Sequence, residues 1–260
     1  MSGLEKLIAR KKTGEYAVVH KFGMDESVQT TYKPVSDDHI YRTPLPAAAI
    51  ALRIKAGDAD DTAAGSGARS VKITGLDASL TEIEETLVTN GTSASDPSTN
   101  LFLRLYRITV VDSGTKSDFT NYSHAAEIVV EDTSANEWGK IIFNGIAHGQ
   151  SQIGCYTVPA VLIDGRTVKE CYITDYHITV DTSKSIDCLV FQIQGALETA
   201  APFSPFRIIR EHIGVTADLP VKPDIPLGPY PPGTDLGFLA KGATTPQTGV
   251  DIEFLLVLES

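Results

Sequence analysis

The chain has 260 residues, with 22 Lys and Arg against 33 Asp and Glu, a formal charge of -11 and a pI near 5.0. A field of that sign repels phosphate backbones, so nucleic acid is not an expected partner. The 42% hydrophobic content suits a globular chain, no apolar run approaches the roughly 20 residues of a membrane helix, and the first dozen residues carry charge where an export signal would be apolar. The expectation is a soluble protein made in a cytosol, outside any membrane.

Leu4, Leu7 and Ile8 fall on one face of a short N-terminal helix or arm, residues 1–14, whose Arg10, Lys11 and Lys12 form the main basic cluster. From about residue 15 onward, alternation of apolar and polar residues bounded by Gly, Pro, Asn and Asp replaces any helical period, and the chain reads all-β. Residues 70–74 form a half-solvated strand with Val71 and Ile73 inward. Residues 81–88 form another, ended by the turn dipeptide Asn90-Gly91. Residues 101–111 read as a central strand whose Arg104 and Arg107 reach a rim. Short strands follow at 127–131 and 140–143, with the lone Trp138 in a turn region between them.

Residues 172–180 place Thr174, Tyr176, Ile178 and Val180 on one face and Ile173, Asp175, His177 and Thr179 on the other. Residues 188–193 alternate likewise. The prolines of residues 202–234, among them Pro220, Pro223, Pro226, Pro229, Pro231 and Pro232, argue for a long ordered loop. Residues 250–258 are apolar enough to be tucked into a sheet. A composition shift over 132–150 suggests two β-sandwich or jelly-roll-like domains, 15–135 and 136–260.

Chemistry is sparse in this pattern. Cys155, Cys171 and Cys188 lack the paired spacing of zinc or redox motifs and read as reduced thiols, with Cys188 a small buried hydrophobe. No nucleophile-elbow motif occurs. His20, His39, His124, His148, His177 and His212 are scattered singly, His148 being the most site-like because glycine follows it. The acidic run of residues 58–61 is oxygen-rich but lacks the Gly and final Glu of an EF-hand loop, so no metal is assigned. Glu82, Glu84 and Glu85 read as a solvated strand face rather than a glycosidase pair. The stretch GSGAR at residues 65–69 lacks the Lys and Ser/Thr of a phosphate loop. Asn90-Gly91-Thr92 and Asn121-Tyr122-Ser123 match the glycosylation pattern but read as turns. The expectation is a non-enzyme without cofactor.

The segments YAVVHKFG, DDTAAGSGARSVKITGLDA, LVTNGTSA, FLRLYRITVVDSG, SHAAEIVV, GQSQIGCYTVPA, PFRIIREHIG and VDIEFLLVL together resemble a family of virion structural proteins of tailed bacteriophages, marine ones included. The likeness spans most of residues 16–258, and the DDTAAGSGAR-to-GLDA stretch is its most specific part. It implies β-sandwich building blocks on the capsid, at the head-tail junction or on the tail, with no active site to carry over. The chain departs from the family after Ala160: a Gly-Lys-Thr hairpin tip is expected where Val161 to Thr167 reads VLIDGRT.

A capsid-associated decoration, cement or vertex protein is therefore expected, with other virion proteins as partners. It would form a homo-oligomer, trimer or pentamer, assembled in the bacterial host cytoplasm. Leu4, Leu7, Ile8, Lys11 and Lys12 of the arm, and Pro220, Pro223, Pro226, Pro229 and Tyr230 of the proline-rich stretch, are the candidate assembly contacts. The alternative is a tail- or fibre-borne carbohydrate-binding module, stacking sugars on Tyr106, Trp138, Tyr172, Tyr176 or Tyr230.

Overall fold

A computed structural model describes residues 16–41, 48–118, 120, 122–181, 184–194, 205–242 and 250–259. The chain is all-β: the described residues form seventeen strands and one 3-10 turn, Asp37–His39. It divides into two compact units. One runs to Val35 and resumes at Gly154; the other, Ser36–Ile153, is inserted in sequence between those two parts. The boundaries thus lie at 35/36 and 153/154 rather than at 135/136. The reason is pairing: the first strand, β1 (Tyr16–Asp25), runs antiparallel to the last through ten residue pairs, which ties the start of the chain to its end.

The first unit begins with β1 and the two-residue β2 (Lys33–Pro34). The inserted unit carries β3 (Ile50–Ala56), β4 (Ala68–Leu76), β5 (Glu82–Val88), β6 (Leu101–Phe102), β7 (Arg104–Ser113), β8 (Ile128–Asp132) and β9 (Glu137–Ile141). The first unit then resumes with β10 (Cys155–Thr157), β11 (Glu170–Val180), β12 (Ile186–Ile193), β13 (Phe206–Val215), β14 (Leu219–Val221), β15 (Leu227–Tyr230), β16 (Asp235–Gly242) and β17 (Val250–Glu259).

In the inserted unit a sheet ordered β6-β3-β8-β9 and a sheet ordered β5-β4-β7 supply a common core. Leu52 and Ile54 of β3, Val71 and Ile73 of β4, Phe102, Leu105 and Ile108, Ile128 and Val130, and Trp138 and Ile141 all belong to it. Leu52 and Ile54 alternate with Arg53 and Lys55 on β3, and Val71 and Ile73 with Lys72 and Thr74 on β4, as a two-sheet sandwich requires. Trp138 is buried within β9, not held in a turn. The expected strand 101–111 is broken at Leu103, and Arg104 is 1% exposed, so it does not reach a rim.

The inserted unit also closes its sheet edges with loops. Ser95 and Ser98 accept the Ile54 and Leu52 N–H groups at 3.0 and 2.9 Å through their hydroxyls, and donate their own N–H groups back to the same two residues. Ser151 does the same for Ile108 on β7. On β5, Glu85 accepts the N–H groups of Thr99 and Asn100, each at 2.8 Å, while the Asn100 amide donates to the Glu84 carbonyl.

The first unit has one sheet ordered β1-β17-β11-β14, with β15 also on β11, and another ordered β10-β16-β12-β13, with β2 also on β16. Tyr176 of β11 meets Phe238 of β16 edge-on at 5.4 Å between ring centroids, joining the two sheets. β17 is central, flanked by β1 and β11, and so can be apolar; Val250, Ile252 and Leu258 are buried. β11 departs from simple alternation. A bulge at Thr174 shifts its pairing, so Cys171 and Ile173 are buried before it and Tyr176, Ile178 and Val180 after it. Ile173 therefore shares the inward face it was expected to oppose.

The stretch 202–234 is not a long loop: from residue 206 on it is largely β13, β14 and β15. Pro220 and Pro229 sit in β14 and β15, which among the described residues pair on one side only, with β11. Such edges tolerate a residue that cannot donate a ladder hydrogen bond.

Candidate functional site

Two features of the first unit are the candidates for a site: a concavity on the β1-β17-β11-β14 sheet and the outer edge of β13. The concavity, about 700 Å³, is lined by His20, Asp175, His177, Pro220, Lys222 and Glu253 among others. Strand register builds it. After the bulge, Asp175 and His177 point away from the core; Glu253 of β17 lies directly opposite His177, and Pro220 of β14 opposite its other side. His20 on β1 reaches Glu253 with Nε2 2.5 Å from the carboxylate, both side chains more than half exposed. His177 keeps a buried Nε2 without a hydrogen-bond partner among the described residues. Two histidines that are isolated in sequence are thus brought to one carboxylate. A signal was present, since both lie at polar positions of alternating strands, but the cross-strand register that joins them was not.

Among the described residues β13 is the end strand of its sheet, paired with β12 alone. Nearly all of it is exposed: Phe206 at 45%, Ile208 at 53% and Ile213 at 73%, with Arg207, Arg210 and Glu211 also in solvent. Phe206 stacks on Phe191 of β12 at 5.3 Å, which holds the strand's start in place. Apolar side chains this open, on a strand with one unpaired edge, form a template for another chain. The prolines on either side of this segment suggest a loop, but residues 206–215 contain none and form a strand.

Leu4, Leu7, Ile8, Lys11 and Lys12 lie outside the described residues, as does Asn121. Pro220, Pro226 and Pro229 are exposed and Pro223 half-buried, whereas Tyr230 is buried at 5% and offers no contact surface. Burial likewise withdraws Tyr106, Trp138 and Tyr176 from any stacking platform. Tyr172 is half-buried, with its hydroxyl donating to Glu170. The VLIDGRT segment forms a hairpin: Val161 bridges Thr167, and Gly165 turns the tip at φ +85°.

The acidic run 58–61 is a structural clasp. Asp61 is fully buried and its carboxylate accepts the N–H groups of Ala68 at 2.7 Å, Ala125 at 2.9 Å and Ala126 at 3.1 Å. A Cβ on Gly67 would stand 2.1 Å from an Asp61 oxygen, so the glycine of GSGAR makes room for the clasp. No cluster of three or more His, Cys, Asp or Glu suited to a metal ion occurs among the described residues.

Glu84 pairs with Lys72 at 3.1 Å and Glu85 holds the 99–100 loop, so both have structural partners. His124 is buried between the Ser123 hydroxyl, 2.8 Å from Nδ1, and the Ile142 carbonyl; burial lowers its pKa. His148 has the Gln152 amide 3.2 Å from its Nδ1. His212 stands 2.8 Å from the Tyr176 hydroxyl, and burial lowers its pKa while pushing that of Tyr176 up to about 12. All three cysteines are free and buried, and burial pushes the Cys188 thiol up to about 12. A thiol so raised is un-ionised at neutral pH and chemically quiet. No described helix is long and apolar enough to cross a membrane.

No family model matches the chain, and no curated protein does. Among solved structures, that of infectious bursal disease virus Gx strain aligns over 94% of this chain and 72% of its own at 11% identity, with a TM-score of 0.26. The VP2 subviral particle of infectious bursal disease virus aligns over 100% and 83% at 10% identity, with a TM-score of 0.21. Superpositions this loose carry nothing about shared fold or function.

Proposed function

We propose that the chain is a structural component of a tailed-phage particle, a capsid-associated decoration, cement or vertex protein that acts by non-covalent contact and performs no catalysis. The observation that carries this reading is β13. The inserted unit covers the edges of β3, β5 and β7 with serine and asparagine clasps, yet β13 leaves its edge and three large apolar side chains open. Monomeric proteins blunt such edges; assembly proteins use them.

The open edge of β13 can take a strand or an apolar surface of a second copy or of another virion protein. A contact between unlike surfaces builds rings, as a trimer or pentamer requires, or joins the chain to a different virion protein.

The test is co-purification. Wild-type chain should be present in stoichiometric amounts in purified virions, and the Ile208→Lys/Ile213→Lys variant, folded by circular dichroism, should be lost from them. A folded variant retained at wild-type levels would refute β13 as the contact, and absence of the wild-type chain would refute the particle role.

A further inference from the structure

The sequence holds two Asn-Gly dipeptides, Asn90-Gly91 and Asn144-Gly145. This pairing favours spontaneous cyclisation, because glycine offers no side chain to hinder its own amide nitrogen. The fold treats the two differently. At the first, the Gly91 N–H donates to the Asp61 carbonyl at 2.8 Å, the Asn90 amide donates to the Ala94 carbonyl at 3.1 Å, and Asn90 forms a bridge with Thr62. A Cβ on Gly91 would meet Thr62 at 3.0 Å and Ala59 at 3.3 Å, so the dipeptide is walled in as well as bonded.

At the second, the dipeptide is the tip of a turn closed by the Phe143–Ala147 bridge. Asn144 and Gly145 are both exposed, between Phe143 at 41% and Ile146 at 53%. Gly145 has φ +93° with no atom within 4 Å of a built Cβ, and its N–H has no acceptor among the described residues. Nucleophile and space are available at this site and withheld at the other.

We propose that Asn144 is a deamidation site of the native protein and that Asn90 is protected by the fold. The Gly145 nitrogen, giving its proton to water, attacks Asn144 Cγ; a C–N bond forms and ammonia leaves with the proton, giving a succinimide. Water then opens either carbonyl, yielding aspartate or isoaspartate. The sum is one water consumed and one ammonia released, with a mass gain of about 1 Da. The product sets a carboxylate between two exposed apolar residues, and in the isoaspartate form lengthens the main chain at the tip. This inference concerns the free chain and is independent of the particle reading.

The experiment incubates the full-length native chain near physiological pH and temperature and follows both sites by peptide mass spectrometry, resolving isoaspartate. Asn144 should convert at least about tenfold faster than Asn90, since the latter must first break a backbone hydrogen bond and open locally. In denaturant the two rates should converge to within about threefold, each then reflecting the local dipeptide alone. Gly145→Ala, checked for folding by circular dichroism, should slow conversion at Asn144 and leave Asn90 unchanged. Equal native rates, faster conversion at Asn90, or an Asn144 that stays intact in the native chain while converting in denaturant would each overturn the proposal.

Discussion

Replacing Asp61 should unfold the inserted unit well before the rest of the protein notices. Its carboxylate is fully buried and serves the N–H groups of Ala68, Ala125 and Ala126, which belong to two segments far apart in sequence. Asp61→Ala orphans all three donors, and each buried N–H left unsatisfied costs about 1–3 kcal/mol, for a total of about 3–9 kcal/mol. Asp61→Asn keeps one acceptor oxygen but turns an amide NH₂ toward the other donors, so about 2–4 kcal/mol is expected. For a unit of roughly 120 residues, 1 kcal/mol corresponds to about 4 °C in Tm, which gives a drop of about 8–16 °C for the Asn variant. The assay is direct, because Trp138 is the sole tryptophan and is buried in this unit, so its fluorescence reports this unit's melting. Asp60→Asn is the control. Asp60 is exposed and bonded only within its loop, and should cost under about 0.5 kcal/mol. An Asp61→Asn transition within about 2 °C of wild type would refute the clasp.

Burial lowers the His124 pKa below its ordinary value, so the unfolded chain binds the proton more readily; the stability it contributes is full above the unfolded pKa near 6.5 and is lost as pH falls toward the folded one. Wild type should therefore lose Tm by Trp138 fluorescence between about pH 7.5 and pH 5.5, and His124→Gln should lose less. Arg53 holds Glu131, 9% exposed, through two contacts of 2.8 Å across β3 and β8. Arg53→Met should cost about 2–3 kcal/mol by chemical denaturation, and Arg53→Met/Glu131→Leu should recover most of it, because the cost lies in the stranded carboxylate. The three buried thiols should resist a thiol reagent in the native state and all react on unfolding; rapid native labelling would contradict their burial.

Alternation read the fold class well because strand burial is local: Val71 and Ile73 turn inward in β4 as their spacing requires, and Val250, Ile252 and Leu258 are buried in β17. What alternation does not carry is pairing. Nothing near Tyr16 states that its partner is Glu259, and that single ladder moves the domain boundaries to 35/36 and 153/154. One extra residue at Thr174 reversed the facing of the first half of β11. Proline misled in the same way: it excludes central strands but not the edge positions that β14 and β15 occupy. The candidate site suffered most, since His20, His177 and Glu253 come together only across three strands. The acidic loop looked like solvent-facing charge because burial of Asp61 depends on backbone donors that composition cannot display.

The central claim is that this chain is held in a virion through the open edge of β13. A cryo-EM reconstruction of the phage particle tests it most directly. The expected result is density for the chain in symmetric copies, with Phe206, Ile208 and Ile213 covered by a neighbouring protein chain. Density in which β13 faces solvent, or a particle without this chain, would contradict the account.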